Sequence, residues 1–233
     1  MLNLAAEDPL PSIQDLFRSY EKVNGGLYNI QAQNSFIISG KAIKADGQSY
    51  DFKLYRKRPN MMRMQVDSGK TRFMTVFDGV EAFRVISTQG VLNRVVDIGG
   101  VEAAQIKASS SFDSPFFKLR GRSESLKVVL EADVDGEAAF EIAIGEQANS
   151  PYERIWISKE NYREIKLSRM IEKKDGDRIL EEIYFSDFEQ IRGMWMAKNI
   201  LYEQEGELTQ QVVIERIRSN TGIFDSFFMK PKS

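Results

Sequence analysis

Two hydrophobic periods succeed each other along this chain. Residues 12–23, SIQDLFRSYEKV, place Ile13, Leu16, Phe17, Tyr20 and Val23 on one stripe of a helix. Ser12 follows Pro11 as the N-cap, with Asp15 three residues on, and Asn24-Gly25-Gly26 ends the helix. Beyond it the period drops to two. Phe36-Ile37-Ile38, then Tyr50, Phe52 and Leu54, then Met62, Met64 and Val66, then Phe73 and Phe77 read as strands. Further strand-like runs occupy 126–133, 137–145, 153–158, 163–173, 178–186, 195–204 and 208–217.

The punctuation sets the pairing. Asp46-Gly47, Asp78-Gly79, Asp135-Gly136 and Asp175-Gly176 each separate two strand-like runs, and Asp-Gly tolerates the positive φ angles of tight hairpins. Parallel strands would need crossover helices instead. The pattern therefore predicts a mainly β protein: one antiparallel meander of roughly ten strands curved round helix 12–23. Residues 101–121 interrupt the sheet with a helix-like piece, Glu102 to Ser109, and then Ser114-Pro-Phe-Phe-Lys-Leu119. Internal repeats and linkers are not evident, so residues 1–233 read as one domain, with 1–10 a flexible N-terminal segment.

Composition narrows the chemistry. Of 233 residues, 34 are acidic and 32 basic, giving a formal charge of −2. Such a balance does not suit nucleic acid, where phosphate neutralisation supplies most of the affinity. Cysteine and histidine are both absent, which excludes thiol nucleophiles, disulfides, Ser-His-Asp triads and metal sites built on Cys or His. The longest charge-free run, Val23 to Gly40, carries Asn24, Asn29, Gln31, Gln33 and Asn34 and does not suit a lipid-spanning helix. With that run excluded as a span, the chain reads as soluble; residues 1–6 are too short for a signal peptide, so it reads as either cytosolic or matured after export.

Candidate motifs fail on inspection. Ser68-Gly69-Lys70-Thr71 resembles the end of a phosphate loop, but the glycine required five residues before Gly69 is Met64, and a hairpin turn fits better. Glu131, Asp133, Asp135 and Gly136 mimic the start of a calcium loop whose twelfth position is Ile142, not an acid. Glu181 and Glu182 should face opposite sides of a strand. Trp156 and Trp195 lie in strand-like runs and read as core. No catalytic residue, metal site or cofactor emerges.

The segment Phe52-Lys-Leu-Tyr-Arg-Lys-Arg-Pro-Asn-Met-Met-Arg-Met64 is the most distinctive. Its strand–KRPN–strand arrangement resembles the periplasmic lipoprotein carrier and outer-membrane lipoprotein-sorting family (LolA-like). Phe77-Asp-Gly-Val-Glu-Ala-Phe83, the Pro-Phe run 114–119, Asp187-Phe-Glu-Gln-Ile-Arg-Gly-Met-Trp-Met196, and the closing segments 214–220 and 223–228 are similar to that family in order and spacing. The resemblance covers about residues 12–231.

The resemblance implies a half-open antiparallel β-barrel with helices forming a plug or lid over an apolar cavity. It implies a non-enzymatic, periplasmic, monomeric carrier, its signal peptide removed, that holds lipoprotein acyl chains or another lipid. An inner-membrane release complex and an outer-membrane acceptor would be its partners. By motif position, Arg58 would latch the lid. Met62 stands where the best-known carriers have an aromatic. Phe36, Phe52, Leu54, Met62, Met64, Phe73, Phe140, Ile142 and Met170 are the expected cavity wall. Period-two alternation alone leaves ordinary core and ligand cavity open, since a sheet packed on a helix shows the same pattern. A lipid-sensing regulatory domain of the same fold and a carboxylate-dependent hydrolase are the alternative classes.

Overall fold

The computed structural model describes residues 9–173 and 176–231, and among them thirteen strands form one antiparallel sheet. The first meander comprises β1 (Ser35–Lys44), β2 (Ser49–Lys57), β3 (Met61–Ser68), β4 (Thr71–Phe77), β5 (Ala82–Thr88) and β6 (Val91–Ile98). The second comprises β7 (Leu126–Val134), β8 (Glu137–Ile144), β9 (Arg154–Ser158), β10 (Glu164–Glu172), β11 (Arg178–Ile191), β12 (Met194–Gln204) and β13 (Glu207–Ser219). β1 pairs with β13 and joins them, leaving β6 and β7 as free edges. The mainly β, half-open arrangement expected from the sequence is present, with more strands than the ten foreseen. β6 was not foreseen, because Val91-Leu92 and Val95-Val96 are doublets rather than alternating positions.

Turn chemistry explains the pairing. Asp46-Gly47, Asp78-Gly79 and Asp135-Gly136 turn the hairpins β1–β2, β4–β5 and β7–β8, with Gly47, Gly79 and Gly136 at positive φ. Asp78 also accepts hydrogen bonds from the amides of Val80 and Glu81. Asp175 of the fourth pair lies outside the described residues; Gly176 beside it has φ 91°. Three more hairpins turn on Gln89-Gly90, Arg192-Gly193 and Glu205-Gly206, each with both residues at positive φ. Gly69-Lys70 is the two-residue turn between β3 and β4.

The seam between the meanders depends on a glycine. The β1–β13 register shifts between Ser39 and Gly40, and a Cβ on Gly40 would lie 2.0 Å from the Val213 carbonyl oxygen. Backbone cannot yield as a flexible side-chain tip can. Gly40→Ala should therefore lower stability by about 1–3 kcal/mol through overpacking, read as a lower denaturant midpoint. An unchanged midpoint would show that the bulge relaxes freely.

Helices cover one face of the second meander. α1 (Ile13–Val23) begins at Ser12, whose hydroxyl accepts from the Asp15 amide, and it buries Ile13, Leu16, Phe17 and Tyr20. α2 (Leu27–Ala32) follows the Asn24-Gly25-Gly26 stop. Buried Asn24 pins this corner to the β11–β12 hairpin by accepting from the Trp195 amide at 2.9 Å. α3 (Gly100–Ser109) and α4 (Pro115–Lys118) connect β6 to the second meander. α1 and α4 pack with Ile142, Ile155, Ile157 and Leu167 in the largest core. The opposite face of the first meander is covered by the C-terminal residues Ile223, Phe227 and Phe228 against Met74, Val76, Phe83 and Val85. No helix among the described residues is long and apolar enough to cross a membrane.

Candidate functional site: an apolar floor beneath a tethered cover

Strand register determines which side chains share the helix-bearing inner face. One cross-strand row runs Ser219, Phe36, Arg56, Met62, Phe77; the next runs Ile217, Ile38, Leu54, Met64, Thr75. A third contains Ile214, Gly40, Phe52, Val66 and Phe73. Phe36, Phe52, Leu54, Met62, Met64 and Phe73 therefore lie together on one face, as their shared parity requires. Phe140 and Ile142 lie on the same face in the second meander, but α1 and α4 already pack against them. Met170 does not join them. It is three residues from inner-facing Leu167, so alternation turns it outward.

The floor changes character along its length. The cover is α3 with the residues that follow it, 100–113. Phe36, Ile38 and Phe52 are buried beneath its Phe112, whose ring stacks on Phe36 at 5.0 Å. α3 touches Met62, Phe77 and Ala82 through Ala103 and Ile106, yet none of its own residues is buried. Farther along, Met64 and Phe73 are 39% and 38% exposed. An apolar surface thus runs from beneath the cover to open solvent. Two surface clefts, of about 530 and 390 Å³, lie elsewhere and contain none of the nine expected wall residues.

Polar bonds tether the cover. Arg58 makes a two-pronged pair with Asp113, at 2.7 and 2.6 Å, with both side chains mostly buried. Its Nε donates to the Gln33 carbonyl at 2.9 Å, and Nη2 donates to that of Ile30 at 3.2 Å. The guanidinium also sits 4.6 Å over the Phe112 ring. Arg56 makes a second set of tethers: Nη1 donates to the Ser111 carbonyl at 2.7 Å and Nη2 to that of Ser109 at 2.9 Å. The sequence reading did not single out Arg56. Its parity with Phe52 and Leu54 was the available signal that it turns inward.

Further polar groups line this interior. Arg169 pairs with buried Glu181 at 2.5 Å, and Gln204 donates to the same carboxylate at 3.3 Å. Glu182, the next residue, pairs with Lys166 on the outer face, so the adjacent acids do face opposite ways. Burial pushes the Tyr202 phenol up to about 12. Under α4, the Glu164 carboxylate accepts from the Phe116 amide, and Ser114 bridges it to Tyr20, whose hydroxyl is 2.8 Å from Ser114 Oγ. Desolvation raises the Glu164 carboxyl to about 7.

No protein-family model matches the chain, and no curated protein matches it. Solved structures do. A putative outer-membrane lipoprotein-sorting protein domain from Vibrio parahaemolyticus superposes with a TM-score of 0.58 at 14% identity, covering 93% of this chain and 97% of that one. The LolA superfamily protein NE2245 from Nitrosomonas europaea superposes at 0.54 and 12% identity, over 95% and 99%. The chain has a LolA-type fold. A DUF1329 family protein from Desulfovibrio piger shares it, at 0.57 and 13% identity over 94% and 98% of the two chains. Identities this low establish the LolA-type architecture; the chemistry of the floor has to be argued from its own residues.

Proposed function

We propose that this protein is a non-enzymatic carrier that binds the acyl chains of a lipoprotein or a similar amphiphile on the inner face. The carrying observation is the apolar floor that continues from beneath Phe112 to the exposed side chains of Met64 and Phe73. Burying a chain there yields ~0.8 kcal/mol per CH₂, so a chain of ordinary length would be held without chemistry. Methionines at 62 and 64 adapt to a mobile ligand. The cover carries no buried residue of its own in α3 and is tethered by arginine bonds, which suits a part that lifts to admit cargo. By analogy with the sorting proteins that share its fold, it acts in the periplasm, takes cargo from an inner-membrane release complex and delivers it to an outer-membrane acceptor.

Mass spectrometry of lipid extracted from the purified protein is the direct test, with a copurifying acylated molecule as the expected result. In parallel, Phe52→Asp combined with Met64→Asp should weaken a fluorescent fatty-acid probe at least tenfold, because each places a carboxylate in the floor. Unchanged probe affinity in a folded double variant would remove this wall from the binding site.

A further inference from the structure

Among the described residues, Arg56 is a cation without a counter-ion. Its guanidinium lies on the inner face between Phe36 and Met62 in the cross-strand row, and among the described residues it donates to main-chain carbonyls of the cover alone. Its Nε is buried and has no hydrogen-bond partner. The titratable groups nearest its charge are the phenols of Tyr152 and Tyr202, which burial keeps protonated and therefore neutral. The acids of this interior are otherwise engaged: Glu181 with Arg169 and Gln204, Asp113 with Arg58, and Glu164 with the first turn of α4. Ser219, in the same row on the far side of Phe36, also has a buried hydroxyl without a partner. Burying a charge is costly unless an opposite charge and hydrogen bonds compensate it. Here the hydrogen-bonding groups are partly supplied and the opposite charge is not.

We propose that Arg56 receives the head group of the cargo, and that the head group is an anion, either carboxylate or phosphate. The inference rests on the carrier reading and specifies its ligand class. The chain lies along Leu54, Met64, Val66 and Phe73, while the head replaces the Ser109 and Ser111 carbonyls on the guanidinium. Cargo binding and release of the cover are then one event, because the same donors serve both in turn. A guanidinium suits this exchange: its fork binds two carbonyls or the two oxygens of one anion.

The test is displacement of a fluorescent fatty-acid probe, at pH 8, by three ligands of one chain length: dodecanoate, dodecyl phosphate and 1-monolaurin. A purely apolar floor does not favour the anions. The wild-type protein should prefer at least one anion over the monoglyceride by about tenfold or more, the scale of a charge-assisted bond. Carboxylate and phosphate preferences identify which head is bound. Arg56→Met should bring all three ligands within about twofold of each other. Arg56→Gln, which keeps a donor for the cover carbonyls, should do the same and serves if the methionine variant does not fold. Equal wild-type affinities would overturn the head-group assignment while leaving the carrier reading intact. Failure of all three ligands and the probe to bind would overturn both. An equal loss for all three in either variant would reduce Arg56 to a tether of the cover.

Discussion

Arg58→Leu should free the cover while leaving the sheet folded. The arginine holds Asp113 by two contacts and donates to two carbonyls at the C-terminal end of α2, so one side chain binds the cover to that end of α2. Removing one member of a mostly buried pair leaves the other uncompensated, a loss of up to about 3–5 kcal/mol for full burial. Partial solvent access at both side chains lowers this to about 2–3 kcal/mol. That energy belongs to closure, since the side-chain partners of Arg58 (Asp113, the Phe112 ring and the carbonyls of Ile30 and Gln33) all lie outside the strands of the sheet. Amide exchange across 100–113 should accelerate by roughly 30- to 100-fold, at about tenfold per 1.4 kcal/mol. The global denaturant midpoint should move little, and apolar cargo should be retained more strongly because closure no longer competes with it. Arg56 is not a neutral comparison, because it tethers the same segment. Lys53→Gln, an exposed position on the opposite face of the same strand, is the proper one. Equal exchange rates in Arg58→Leu and Lys53→Gln would show that Arg58 does not hold the cover.

Legibility in the sequence followed the physics that is local. Asp-Gly pairs commit neighbouring strands to antiparallel hairpins within a few residues, and short hairpins fix register. Phe52, Leu54, Met62, Met64 and Phe73 were grouped by alternation and the family resemblance instead, because β2–β3 turns on Arg58-Pro59-Asn60 and β3–β4 on Gly69-Lys70. Gln89-Gly90, Arg192-Gly193 and Glu205-Gly206 reach the same turn conformation with less favourable first residues, so they were missed. β10 has apolar residues at both parities (Ile165, Leu167, Met170 and Ile171) and a register shift between Glu164 and Lys166. Alternation there does not identify a face, and Met170 was misplaced.

Non-local pairing was not readable. β1 and β13 are separated by more than 160 residues, yet their seam brings Arg56 into the same interior as Tyr152, Tyr202, Arg169 and Glu181. The row 53–63 is crowded with cations, and only parity distinguishes those that turn inward, such as Arg56, from Lys53 on the outer face. Arg63 illustrates the other side: it donates to the Phe227 carbonyl and lies 4.2 Å from that ring, anchoring the C-terminal segment. Charge composition predicted none of these roles, because each depends on what the distant half of the sheet places opposite.

Glu164 should make the protein more stable in mild acid than its other acids would suggest. Its carboxyl is enclosed beneath α4, and desolvation raises it from an ordinary 4.5 to about 7, against the opposing bonds from Phe116 and Ser114. Between these values the folded state holds a proton that the unfolded state has released. Stability from this group is therefore full below about 4.5, falls as pH rises to 7, and is constant above it. The span corresponds to at most about 3 kcal/mol, and residual solvent contact of the residue reduces it. Asp15, held low by hydrogen bonds from Ser12 and Arg18, and Asp67, held low by its hydrogen bond from Arg72, act in the opposite direction at lower pH. The measurement must therefore be a difference. Glu164→Gln keeps an acceptor for the Phe116 amide and removes the titration. It should match the wild type near pH 4.5 and exceed it by up to about 3 kcal/mol at pH 8 in denaturant unfolding. Because α4 follows directly on the Phe112–Asp113 tethers, the same deprotonation should also speed amide exchange at 112–118 in the wild type alone. A variant whose advantage is the same at both pH values would show that Glu164 does not titrate in this range.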